Sequence, residues 1–161
     1  MISQTARFVC KLASILAAIS LAGCSSQPVS PPAARPATLV HTADQAVAVA
    51  MQQLGVPYRY GGASPQGFDC SGLVFYAYSQ VGKSLPRTTA TLWTQTEPVA
   101  RRNLRAGDIL FFRISGKMSH VGLYIGKDRF VHAPSSGKVV TVASLRSEFY
   151  DDALIRAGRP Y

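Results

Sequence analysis

Cys70, in the run Asp69-Cys70-Ser71-Gly72, and the histidines His120 and His132 are the residues of this sequence best suited to covalent chemistry. A thiol in the first turn of a helix has its thiolate favoured by the helix dipole, which can bring a cysteine pKa from ~8.5 into the ~3.5–7.5 range. An imidazole acting as base, itself oriented by a third polar group, completes the logic of a nucleophilic cysteine. The same trio could in principle hold zinc as three ligands and a water, but close ligand spacing, such as two histidines on one helical turn, is absent. No cofactor is expected. The third histidine, His41, falls at a linker edge and is expected to be solvated.

The elements that must position these groups are legible in outline. Thr42 is placed to cap a helix over Ala43–Leu54, with Asp44 in its first turn and Gly55 as its stop. Val47, Met51 and Leu54 recur at helical spacing, with Ala43, Ala46 and Ala50 in the same stripe. Gly61–Phe68 reads as a loop. Asp69 is the expected N-cap of a second helix running from Cys70 or Ser71 to Val81, with Leu73, Ala77 and Val81 facing the core. A short helix over Ala90–Thr96 follows. Then the pattern changes to β-branched and aromatic runs: Ile109–Arg113, Val121–Ile125, Phe130–Ala133, Val139–Val142 and Leu154–Gly158. Helices first and strands later indicate an α+β fold, with N-terminal helices packed on an antiparallel sheet. Alternation puts His120, Gly122 and Tyr124 on one face and Val121, Leu123 and Ile125 on the core face. The glycine beside His120 reads as room for a helix end or a substrate.

The first 38 residues are not expected to belong to this fold. Arg7 and Lys11 flank the start of a ten-residue apolar run ending at Leu21, followed by Leu21-Ala22-Gly23-Cys24. Ten residues are too few to span a bilayer, and the pattern is that of an export signal. Leu-Ala-Gly-Cys resembles the lipobox of bacterial lipoproteins, which implies cleavage before Cys24 and lipidation of its thiol. Residues 1–23 are therefore expected to be a signal peptide. Residues 24–38 are expected to be a lipidated cysteine with a Pro/Ser/Ala-rich tether reaching about 40 Å. Residues 39–161 are left as one domain. Ser25 after the cysteine points to the periplasmic face of the outer membrane. Cys10 leaves with the signal, so of the three cysteines only Cys70 remains as a thiol, with no intramolecular partner.

Charge narrows the partners. The 17 basic and 8 acidic residues give +9, and loss of Arg7 and Lys11 leaves 15 against 8, or +7. Nucleic acid is not an expected partner: the cations are scattered apart from Arg101-Arg102-Asn-Leu-Arg105, and an exported domain has no access to it. Anionic wall peptides or lipid headgroups suit the sign better. Three cysteines also rule out a small disulfide-stapled module.

The blocks Gly55-Val-Pro-Tyr-Arg-Tyr-Gly-Gly62, Phe68-Asp-Cys-Ser-Gly72, Leu85-Pro-Arg87, Ala106-Gly-Asp-Ile-Leu-Phe-Phe112, Ser119-His-Val-Gly-Leu-Tyr-Ile-Gly126 and Phe130-Val-His132 resemble the NlpC family of bacterial cell-wall cysteine peptidases. The resemblance covers about Ala46 to Arg159. It implies a papain-like fold, with Cys70 as nucleophile, His120 as base and His132 as the third polar residue. It also implies a lipoprotein murein endopeptidase that hydrolyses amide bonds of peptidoglycan stem peptides or their crosslinks. By the same resemblance Tyr58 and the Cys70 amide stabilise the oxyanion, and Asp69 and Ser71 meet the substrate peptide. Arg87 is either a holder of a stem-peptide carboxylate or a solvated charge. The alternation and a tight turn at Lys127–Arg129 place His132 opposite Tyr124, about 13 Å from His120 in a flat ladder. A bulge near Gly126 or strong twist would be needed to close that gap. The competing functions are a non-catalytic wall-binding scaffold and an acyltransferase using the same Cys-His pair. A protein regulator of unknown identity is the remaining expected partner.

Overall fold

The computed structural model describes residues 37–161, with side chains from Thr42 onward. The expected signal peptide, Cys24 and most of the tether lie outside the described residues. Helix α1 (Ala37–Met51) takes in the last two residues of the stretch expected as tether, and Thr42 lies within it instead of capping it. The run from Ala37 to Met51 holds no Gly or Pro that would break a helix. Ala46 and Ala50 are fully buried, and Val47 and Met51 pack on the core. Leu54, expected on that face, lies beyond the helix end and is exposed. There the chain turns, and the Gly55 amide donates to the Val140 carbonyl at 2.9 Å.

The expected loop contains a small antiparallel hairpin, β1 (Ala63–Ser64) with β2 (Gly67–Phe68). Helix α2 (Cys70–Ser79) follows, and Leu73, Val74, Ala77 and Tyr78 form its buried face. Val81 lies past its end and is only partly buried. Helix α3 (Thr89–Thr94) is capped by Thr88. The strands are β3 (Glu97–Val99), β4 (Ile109–Ile114), β5 (Lys117–Gly126), β6 (Arg129–His132), β7 (Thr141–Ser144) and β8 (Leu154–Arg159). They form one sheet in the order β3-β8-β4-β5-β6-β7, and every pairing is antiparallel. The α+β expectation is met. Helix α4 (Glu148–Ala153) and strand β3 were not expected. Six residues are too few to display a helical period, and Pro98 argues against a strand except at the sheet edge, where β3 sits.

Both faces of the sheet are covered, so the alternation did not separate core from solvent. Ile109, Phe111, Val121, Leu123 and Val131 pack with α1 and α2 on one face. Leu110, Phe112, Tyr124 and Phe130 pack with Leu145, Tyr150 and Ala153 on the other. Trp93 is part of the first core: its ring meets Phe111 edge-on at 5.2 Å and stacks under the Arg156 guanidinium at 4.5 Å.

A buried ion pair ties the last strand to the turn before β4. Arg159 donates to both oxygens of Asp108 at 2.7 Å, and the Arg105 amide adds a third bond at 2.8 Å. The Asp108 side chain is 2% exposed, whereas Arg159 reaches water. Replacing Asp108 by Asn should therefore cost about 2 kcal/mol, less than a fully sealed pair would, because Arg159 can be rehydrated. Chemical denaturation of Asp108→Asn against the parent measures it.

Candidate active site

The N-terminus of α2 is built around Asp69. Its Oδ1 accepts from the Gly72 amide at 2.7 Å, which caps the helix, and from Ser71 Oγ at 3.2 Å. Its Oδ2 accepts from the Gly61 amide at 3.0 Å. Arg87 closes the group with two bonds to the carboxylate, at 2.9 and 2.7 Å, and further bonds to Ser71 Oγ and the Gly62 carbonyl, both at 3.0 Å. Arg87 is thus neither a solvated charge nor a free cation. Gly72 is required by this closure: a Cβ there would stand 2.0 Å from the Gly62 oxygen. Burial pushes the Asp69 carboxyl up, but bonds from Arg87, the Gly72 amide and Ser71 outweigh it and hold the pKa below the ordinary carboxylate range.

This cap fixes Cys70 at the first helical position, 9% exposed. Its sulfur lies 3.9 Å from Thr89 Oγ1 and donates to the Ser119 carbonyl at 3.9 Å. The Val121 main chain is near enough to lower the thiol pKa. The sulfur therefore abuts β5 main chain on both sides of His120. Among the described residues no hydrogen bond joins the sulfur to an imidazole in this state.

His120 and His132 do meet. Nε2 of His120 and Nδ1 of His132 are 2.7 Å apart, with the rings edge-on and their centroids 5.0 Å apart. The turn is shorter than expected: Lys127 and Asp128 both have φ near +50°, the two-residue hairpin type. That turn alone would put His132 across from Leu123, on the wrong face. Instead Tyr124 pairs with Phe130 and Gly126 with Arg129, leaving Ile125 as a bulge. The pairing of Leu123 with Val131 then continues to Gly122 opposite His132, diagonal to His120 and within side-chain reach. His132 is opposite Gly122, not Tyr124. The role of Gly122 is likewise corrected: a Cβ there would stand 2.4 Å from the Phe130 ring, so the space is filled by Phe130 and not by a helix end or a substrate.

Burial sets the protonation of the site. It lowers His120 to about 4. It also lowers His132 to about 3, helped by the charge of His120. Burial raises the Cys70 thiol, with the Asp69 carboxylate adding to the rise, and this outweighs the amides of Val121 and Ser71 and the Thr89 hydroxyl. The sequence led to a thiol brought down by the helix terminus; in the structure burial is the largest influence on it and acts upward. The resting pair is a neutral thiol and a neutral imidazole.

Cys70 opens into a cleft of about 460 Å³ that also exposes Tyr58, Asp69, Ser71, Arg87 and Thr89. Burial, then the charges of Cys70 and Asp69, raise the Tyr58 phenol, so it stays a hydrogen-bond donor. As first-turn groups the Cys70 and Ser71 amides have no intrahelical acceptor. A carbonyl entering here meets a thiol, main-chain donors and a phenol. Sequence reasoning missed Thr89, Tyr60 on the cleft rim, 90% exposed, and Tyr150, whose hydroxyl is 3.5 Å from His132 Nε2. Only the aromatic character of the two tyrosines could have flagged them.

Residues 55–159 match the NlpC/P60 family. The chain belongs to that family. It is 41% identical over 115 residues to the murein DD-endopeptidase MepH of Escherichia coli, covering 68% of this chain and 42% of that one. It is 44% identical over 117 residues to the probable endopeptidase Cgl2188 of Corynebacterium glutamicum, covering 73% and 55%. The solved NlpC/p60 domain of the peptidoglycan hydrolase SagA superposes with a TM-score of 0.64 at 33% identity, over 72% of this chain and 97% of that domain. The chain spans about half the length of the curated relatives it matches.

Two outcomes follow from the buried site. Alkylation of Cys70 by iodoacetamide, with Cys70→Ser as the blank, should climb through pH 7 to 9 without levelling; a plateau near pH 6 would indicate a thiolate that burial forbids. The histidines act on stability. Their folded pKa values lie below the ordinary 6.5, so their contribution is complete above pH 6.5 and lost as pH falls toward about 4 for His120 and about 3 for His132. The Tm should drop between pH 7 and 4, and drop less in the His120→Gln, His132→Asn double variant.

Proposed function

We propose that this protein is a lipid-anchored peptidoglycan endopeptidase that hydrolyses amide bonds of stem peptides or their crosslinks by thiol catalysis. The observation that carries the reading is a helix-terminal cysteine at the floor of an open cleft, against the strand that bears a hydrogen-bonded histidine pair. The relatives named as murein DD-endopeptidase and peptidoglycan hydrolase support the substrate class.

In this mechanism Nε2 of His120 is committed to His132, which leaves Nδ1 to take the proton of Cys70 as the sulfur attacks the scissile carbonyl. The oxyanion is stabilised by the Cys70 amide and the Tyr58 hydroxyl, each such donor being worth about 3 kcal/mol in other hydrolases. His120 returns the proton to the leaving amine, and water then hydrolyses the thioester. The neutral resting pair suits this sequence: proton transfer and attack occur together, and a substrate that excludes water from the cleft does not have to desolvate an ion first. In the anchoring part of the proposal, Cys24 carries the lipid and holds the domain at the periplasmic face of the outer membrane.

Cys70→Ala should abolish muropeptide release from purified sacculi while shifting the Tm by only a few degrees; retained release would remove the nucleophile. Mass spectrometry of the mature N-terminus should find an acylated Cys24, and an unmodified or more distal start would remove the anchor.

A further inference from the structure

Helix α4 brings to the histidine pair a group that the mechanism above does not use. The Tyr150 hydroxyl stands 3.5 Å from Nε2 of His132, and its ring meets the imidazole edge-on at 89° with centroids 5.4 Å apart. The ring is fixed by packing on Phe112 at 5.5 Å and Phe130 at 4.9 Å. The helix itself is capped by Ser147 and held by an ion pair between Asp151 and Arg101. The hydroxyl is therefore a positioned group and not a waving surface phenol.

Counting donors along the row fixes where its protons lie. One hydrogen bond joins Nε2 of His120 to Nδ1 of His132, so one nitrogen carries hydrogen and the other a lone pair. To receive the thiol proton, His120 must present its lone pair at Nδ1, and a neutral ring then carries its hydrogen on Nε2. That hydrogen is donated to Nδ1 of His132. The neutral His132 ring is left with its own hydrogen on Nε2, which needs an acceptor because His132 is 1% exposed.

We propose that Tyr150 is a positioning residue whose oxygen accepts the Nε2 hydrogen of His132, holding His132 and through it His120 in the tautomers that let His120 act as a base. This rests on the assignment of Cys70, His120 and His132 made above. Without the oxygen, His132 can carry its hydrogen on Nδ1 and donate it to His120, which places the His120 hydrogen on Nδ1, where the lone pair is required. No proton passes to Tyr150 during turnover: the thiol proton moves to Nδ1 of His120 and from there to the leaving amine. The phenol remains neutral throughout, consistent with the upward push that burial gives it.

Tyr150→Phe removes the oxygen and keeps the ring and its packing. In the full-length protein acting on a soluble crosslinked muropeptide, kcat should fall about 3- to 10-fold with KM unchanged, the scale of one hydrogen bond. Nitrogen NMR of histidine-labelled protein should show His132 as the Nε2–H tautomer in the parent and a mixed or Nδ1–H population in Tyr150→Phe, a change that a purely structural role would not produce. An unchanged kcat in Tyr150→Phe, or a parent His132 in the Nδ1–H form, overturns the proposal. His132→Ala separates the two levels of failure. If it is fully active, the histidine assignment falls and the tautomer role falls with it; if it is crippled while Tyr150→Phe is fully active, only the role of Tyr150 falls.

Discussion

A single unpaired residue, Ile125, decides which side of the sheet His132 occupies. The two-residue turn at Lys127 and Asp128 sets one register, and in that register His132 would face the helices while His120 faces α4. The bulge advances β6 by one position and brings both rings to the same face, diagonal across Gly122. Phe130 then fills the volume that a side chain at residue 122 would have taken. The bulge, the missing side chain and the aromatic ring are one device, and the 2.7 Å bond between the histidines exists only while all three hold.

That device lies within hydrocarbon, which explains the electrostatics of the site. Phe112, Phe130 and Tyr150 surround the rings, so both imidazoles are held neutral well below the ordinary histidine value. The same desolvation acts on the Cys70 thiol and raises it, with the Asp69 carboxylate adding to the rise. In the proposed mechanism reactivity would therefore rest on geometry and not on a preformed ion pair. A buried thiolate and imidazolium would each carry a desolvation cost that the neutral pair avoids.

The helices and most strands were legible because each carries its own period, cap or turn residue. The Asp69 cap, the α2 face and the five strand runs are local features, and the structure meets them within a few residues. What was not legible depended on register. A bulge leaves no local mark in Tyr124-Ile-Gly126, so alternation alone sent His132 to the wrong partner. Tyr150 was invisible for a related reason: α4 is too short to show a period, and only its packing under β4 and β6 brings the hydroxyl to His132. The thiol environment failed differently, since sequence reveals a helix terminus but not how much apolar surface will close over it.

The Asp69–Arg87 group shows how the same residues can shape the fold and the cleft together. Asp69 accepts from Gly72, Ser71, Gly61 and Arg87, so its capacity is filled, and Arg87 spends four bonds on Asp69, Ser71 and Gly62. The wall of the cleft is therefore charge-balanced at this point, the Arg87 guanidinium being paired with the Asp69 carboxylate. Under the proposed function, discrimination beside Cys70 would then fall to neutral groups, chiefly the hydroxyls of Tyr58 and Thr89 and the first-turn amides of α2. Under the proposed function such a lining would select by unmet hydrogen bonds, which reject a wrong peptide more strongly than lost apolar contact does. On the same proposal, the chain's net charge of +9 would draw in an anionic wall without entering this local choice.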